Sequence, residues 1–85
     1  LLSPPTIDER INLLLEHLNL SVEFKGERKG VNEFRKHYAG YLKGLPNASK
    51  LRQEVMQFIV VEPIVHRIKQ FAESLRSGEA VEVLT

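Results

Sequence analysis

Apolar side chains recur three and four residues apart in four successive runs of this chain, and glycine or proline follows each run. That pattern constrains the fold more than any single residue does, because a period near 3.6 gives each segment one apolar stripe that must be buried against a neighbour. The first run, Ile7, Ile11, Leu14, Leu15, Leu18 and Val22, predicts a helix over 7–24. Thr6-Ile7-Asp8-Glu9 has the form of a capping box, in which a threonine oxygen takes the amide three residues on and a glutamate reaches back. Pro4 and Pro5 before it fit an extended leader, and Gly26 fits a terminator. Leu13, Leu20 and Phe24 widen the stripe, so this helix is expected to pack against two neighbours.

The second run, Val31, Phe34, Tyr38, Tyr41 and Leu42, predicts a helix over 28–43. Gly44 suits the left-handed position after it, and Pro46 prevents continuation. Gly30 and Gly40 lie inside it, each costing about 1 kcal/mol relative to alanine. Asn47 is the expected cap of a third helix over 48–58 with Leu51, Val55 and Phe58 inward. Phe58-Ile59-Val60-Val61 has strand composition, but a lone strand of four residues has no partner, so it is expected as a buried connector. Pro63 opens a fourth helix carrying Ile64, Ile68, Phe71 and Leu75 inward and ending at Gly78. The expected fold is all-α: a small four-helix bundle-like domain over 6–78 with short connections, a leader over 1–5 and a mobile tail over 79–85.

Eighty-five residues suffice for one domain. With no cysteine, the chain has no disulfide, thiolate metal site or cysteine nucleophile, which fits a reducing compartment. No apolar run approaches the roughly 20 residues of a bilayer span, so a membrane partner is not expected. The first residues are Leu-Leu-Ser-Pro-Pro and the sole methionine is Met56, so the chain is expected to be a piece of a longer polypeptide, the leader coming from its missing N-terminal part.

The net charge of +1 hides an uneven distribution: residues 1–24 sum to −3, residues 25–52 to +6 and residues 53–85 to −2. Within the basic block Lys29, Lys36 and Lys43 are spaced by seven, so a continuous helix puts them on one stripe, with Arg28 and Arg35 on a second stripe about 100° round. Val31, Phe34, Tyr38 and Tyr41 would brace that helix from behind. Such a cationic row suits the phosphates of a nucleic acid, and His37 and the tyrosine hydroxyls can add hydrogen bonds or stacking. A charged stripe is more often just a solvated face, and Tyr38 and Tyr41 are expected first as core residues with wet hydroxyls. His17, His37 and His66 share no ligand spacing, so no metal is expected. Glu33 and His37 form an i, i+4 pair read as a surface hydrogen bond. No Gly-rich phosphate loop or serine–histidine–acid arrangement occurs, so no catalytic residue is assigned and the chain alone is not expected to be an enzyme.

Arg35-Lys36-His37-Tyr38-Ala39-Gly40-Tyr41-Leu42-Lys43-Gly44-Leu45-Pro46, followed by Ala48 and Leu51-Arg52, resembles the C-terminal helical domain of bacterial tRNA-dihydrouridine synthases. The preceding Gly26-Glu27-Arg28-Lys29-Gly30 is similar to the lead-in of that helix. In that family an FMN-binding (β/α)₈ barrel reduces a tRNA uridine with hydride from NADPH, and the helical domain helps to hold the tRNA. The resemblance implies a cytoplasmic tRNA-docking domain with no cofactor of its own, its partners being tRNA and the catalytic barrel of its parent chain. It makes Arg28, Lys29, Arg35, Lys36, His37, Lys43 and Arg52 the candidate tRNA-binding residues. Gly40 stands where the family commonly has a bulky aromatic residue, and is expected to loosen packing or admit a closer neighbour. Tyr38 stands where an aliphatic residue is common. Two other readings of the basic helix are a protein-interaction module for an acidic partner, and a domain that mainly packs on its own barrel.

Overall fold

The structure, a computed structural model, describes residues 5–77. It is all-α, with helices α1 (Ile7–Lys25), α2 (Glu27–Phe34), α3 (Tyr38–Leu42), α4 (Ala48–Val55) and α5 (Val61–Ser77). A 3-10 turn, Arg35–His37, joins α2 to α3. Residues 1–4 of the expected leader over 1–5, the stop at Gly78 and the tail over 79–85 lie outside the described residues.

The capping box forms as expected: Glu9 N–H donates to Thr6 Oγ1 at 3.1 Å, and Thr6 N–H donates to Glu9 Oε1 at 2.8 Å. Gly26, at φ 85°, ends α1 and begins α2, and Gly44, at φ 79°, follows α3 in the left-handed conformation. Asn47 departs from expectation. It precedes α4 at φ 63° and makes no side-chain capping bond. Its carbonyl still takes the Leu51 N–H, so the backbone, not the amide side chain, starts the helix.

One core gathers residues from every helix: Ile11, Leu14 and Leu18 of α1, Val31 and Phe34 of α2, Tyr38 and Leu42 of α3, Leu51 and Val55 of α4, and Ile64, Ile68, Phe71 and Ala72 of α5. Apart from Ala72, these are positions that the three-and-four spacing selects, whereas Ile7, the first of the expected α1 stripe, is exposed. α1 packs against both α2 and α5, as expected, but not through the residues expected to widen its stripe: Leu13, Leu20 and Phe24 are exposed, Phe24 by 80%. The connector is only half as expected, because Phe58 packs on the core while Ile59 and Val60 face solvent. α4 ends at Val55 rather than 58, and α5 starts two residues before Pro63, which proline tolerates within a first turn.

A close backbone approach lies at Gly30. A Cβ there would stand 2.7 Å from Ser21 O and 2.7 Å from Val22 Cα, so α2 rests on the α1 backbone. The Ser21 hydroxyl seals this crossing by donating to the Gly30 carbonyl at 3.1 Å. Gly40, expected to loosen packing or admit a closer neighbour, has nothing within 4 Å of such an atom, so no neighbour comes close there. Glu27 supplies another long-range tie: its Oε2 accepts the Val61 N–H at 2.9 Å, capping α5 from 34 residues away.

Gly30→Ala is therefore expected to lower stability by about 1–3 kcal/mol through overpacking against rigid backbone. Gly40→Ala should raise it by roughly 0.5–1 kcal/mol, because only helix propensity changes. Urea midpoints of the two variants check both signs, and equal shifts would contradict the close crossing. Glu27→Ala should cost about 1 kcal/mol, the usual worth of a cap. Unchanged denaturation of that variant would mean the α5 amide finds another partner.

Candidate nucleic-acid interface

The basic segment starts where α2 crosses α1. Val31, Phe34 and Tyr38 are fully buried and fix the inner side of α2 and the turn. The cations between them therefore have no place in the core and stand at its edge.

Three of them converge. Arg28, Lys29 and Arg35 line a cleft of about 470 Å³ together with Val31, Asn32 and Ile59. Ile59 comes from the exposed connector, which the sequence places 24 residues after Arg35. Lys36 and His37 border a different, shallower depression with Gly40 and Tyr41. Lys43 lies beyond the last helical residue with ψ 130°, its side chain exposed. Arg52 sits half-buried on α4, and its guanidinium has no ion-pair partner among the described residues.

The two expected stripes need correcting for this reason. They assumed one helix over 28–43, but the segment is α2, a 3-10 turn and α3, and Lys43 follows α3. A turn with about three residues per revolution changes the angular phase after Phe34, so a spacing of seven no longer returns to one line. What anchors the end of the segment is Arg10. Its Nε donates to the Tyr41 carbonyl at 3.0 Å and its Nη2 to the Lys43 carbonyl at 2.7 Å, satisfying carbonyls that the end of α3 leaves open. Nothing in the sequence marks Arg10 for that role, since its partners lie more than thirty residues away.

Glu33 does not meet His37. Its carboxylate takes Lys25 Nζ at 2.7 Å and lies 3.9 Å from Lys29 Nζ. The Lys25 hydrogen bond, with the surrounding lysine charges, holds this carboxyl below its ordinary value. His37 instead packs on His17, ring centroids 4.5 Å apart, and on Phe34 at 5.3 Å. His17 Nδ1 in turn pairs with the Tyr41 hydroxyl at 2.9 Å. The two imidazoles come together although their spacing in the chain is twenty residues, which no helical period links. Among the described residues no group of histidines, cysteines and carboxylates could hold a metal.

The tyrosines divide. Tyr41 is half-buried with its hydroxyl on His17. Tyr38 is wholly buried, so its ring stacks on Phe34 edge-on at 5.1 Å and cannot reach a base. Its hydroxyl is not wet as expected: it is buried without a hydrogen-bond partner. Burial pushes its pKa up to about 12, against the opposing charge of Arg35. Among the described residues Arg35 Nε is the other buried side-chain nitrogen or oxygen without a partner.

A model of the family described as dihydrouridine synthase matches residues 2–75. The chain belongs to that family. It is 40% identical over 58 residues to the probable tRNA-dihydrouridine synthase 1 of Synechocystis, covering 68% of this chain and 16% of the relative. It is 44% identical over 50 residues to the probable tRNA-dihydrouridine synthase of Mycobacterium leprae, covering 59% of this chain and 13% of the relative. A Rickettsia bellii protein of the same description is 39% identical over 51 residues, or 60% of this chain and 16% of that one. The chain thus spans about one sixth or less of these relatives. No solved structure gives a significant match. No described helix is long and apolar enough to cross a membrane.

His37 has its pKa lowered from 6.5, first by partial burial, then by the neighbouring His17, Lys36 and Lys25. Its folded form therefore holds a proton less well than the unfolded chain does. The stability it contributes is complete above 6.5 and is lost as pH falls through the folded-state pKa. Denaturation of wild type and His37→Gln on either side of 6.5 checks this: wild type should lose stability relative to the variant on the acid side. Parallel curves would contradict it.

Proposed function

We propose that this chain is a tRNA-docking helical domain of a dihydrouridine synthase, occupying about residues 6–78 of the sequence given. The observation that carries the proposal is the convergence of Arg28, Lys29 and Arg35 in one cleft, in a chain belonging to this family. Arg28 and Arg35 have no carboxylate partner among the described residues, which leaves their charge available to phosphates. Lys36 and His37 border a second depression, and Lys43 and Arg52 complete the set of proposed contacts. Phosphate contacts of this kind set orientation and register, while the uridine is recognised elsewhere.

In this proposal the chemistry belongs to the remainder of the parent protein. A chain with no cysteine, and with only helices among its described residues, offers neither a catalytic thiol nor a flavin-binding barrel, so FMN and NADPH are assigned to that remainder. The exposed stripe of Leu13, Leu20 and Phe24 on α1 supports an interface with the parent's own barrel. The cytoplasm, where tRNA is modified, is the corresponding location.

Filter binding of folded tRNA tests the docking role. Neutralising the exposed Arg28, Lys29, Lys36 and Lys43 to glutamine should weaken binding by roughly tenfold or more at low salt. The salt slope should also fall by about one for each phosphate no longer neutralised. Circular dichroism should stay helical, since none of these side chains belongs to the core. An unaltered titration and slope would overturn the proposal. Displacement by an acidic polypeptide more readily than by tRNA would favour a protein partner instead.

A further inference from the structure

We infer that the cleft between α2 and the α4–α5 connector is a discrete seat for one phosphodiester of a polynucleotide, with Arg35 as its anchor and Ile59 as a wall for the adjoining sugar. This deepens the docking role and rests on it for the identity of the polyanion. Four features converge on it.

First, the cleft is cationic, and among the described residues Lys29 alone of its three cations lies near a carboxylate, 3.9 Å from Glu33. Arg28, Lys29 and Arg35 line it together with the Asn32 amide, and no carboxylate is among its lining residues. The acid next to the pair, Glu27, is committed to the Val61 amide, and Glu33 is held chiefly by Lys25. A concave surface of one sign, with low-dielectric walls behind it, focuses potential and draws a counter-charge.

Second, Arg35 carries a donor that the fold leaves unused. Its Nε is buried and has no partner, although buried polar atoms are nearly always paired. A phosphate oxygen is the natural acceptor once the guanidinium turns into the cleft, because guanidinium binds phosphate through parallel N–H bonds. Third, Arg28 and Lys29 occupy the first turn of α2, where the helix dipole disfavours cations. Their position makes sense if an anion sits among them.

Fourth, size and wall chemistry fit more than a bare ion. About 470 Å³ lies in the range of small-ligand sites, larger than one phosphate needs. Ile59, 58% exposed, and the edge of Val31 give it an apolar side on which a sugar can rest. Lys36 and Lys43 do not line this cleft, so the seat is separate from the rest of the basic surface.

The test is an amide chemical-shift titration of the whole chain, first with inorganic phosphate, then with uridine 5′-monophosphate. Saturable shifts are expected at residues 28–35 and at Ile59, with the nucleotide binding more tightly than phosphate because it also covers Ile59. Arg28→Gln should weaken both ligands several-fold. Arg35→Lys, which keeps the charge but lacks the Nε donor, should weaken them roughly tenfold, as expected when a charge-assisted hydrogen bond is removed. Lys50→Gln, on α4, should change nothing. If Arg35→Lys does not fold, Arg28→Gln carries the test, because that side chain is exposed.

Absence of saturable shifts in these residues, or shifts indifferent to both arginine variants, overturns the inference whatever tRNA does. Loss of tRNA binding in Lys36→Gln/Lys43→Gln, with the cleft silent, keeps the docking role and removes the seat. Phosphate bound in the cleft by a chain that ignores tRNA keeps the seat and removes the docking role.

Discussion

At Gly30 the backbone of α2 lies on the backbone of α1, with no side chain between them and the Ser21 hydroxyl bonded across the gap. That crossing sets the height and direction of α2. From it follow the burial of Val31 and Phe34 and the placing of Arg28, Lys29 and Arg35 around one cleft at the edge of the core. Any side chain at Gly30 would lift α2 off α1 and shift the three cations together. The conformational cost of glycine in a helix is thus offset by an approach that only glycine allows.

The other end of the basic segment is held by a different interaction. Arg10 reaches from the first turns of α1 to the carbonyls of Tyr41 and Lys43, so α1 grips the segment near both ends. Glu27 ties the start of α2 to the start of α5, and so holds the connector that brings Ile59 beside the cations. The basic surface is therefore supported from two other helices, α1 and α5. Its geometry depends on polar ties as much as on the core beneath it.

Much of the fold was legible in the sequence because it is local. The Thr6 capping box, the left-handed Gly44 and the inward Leu14, Leu18, Phe34 and Ile68 all follow from spacing within one or two helical turns. The misses arise where distant residues decide. Asn47 loses its capping role to the backbone, Leu20 and Phe24 stay exposed, and the helix over 28–43 tightens into a 3-10 turn at Arg35–His37. Of the candidate site, the residue types were legible but not their grouping. Arg28 and Arg35 share a cleft with Ile59, which only the tertiary path of the connector supplies, while Lys36 and His37 face elsewhere.

Membership of the dihydrouridine synthase family and a cleft lined by Arg28, Lys29 and Arg35 support the same proposal, that a domain of fewer than ninety residues offers a cationic surface to folded RNA. Mapping the amide shifts of the labelled chain as tRNA is added tests it most directly. The account predicts that perturbations concentrate at Arg28, Lys29, Arg35, Lys36 and Ile59. Perturbations centred on the outer face of α5 around Lys69, or none at saturating tRNA, would contradict it.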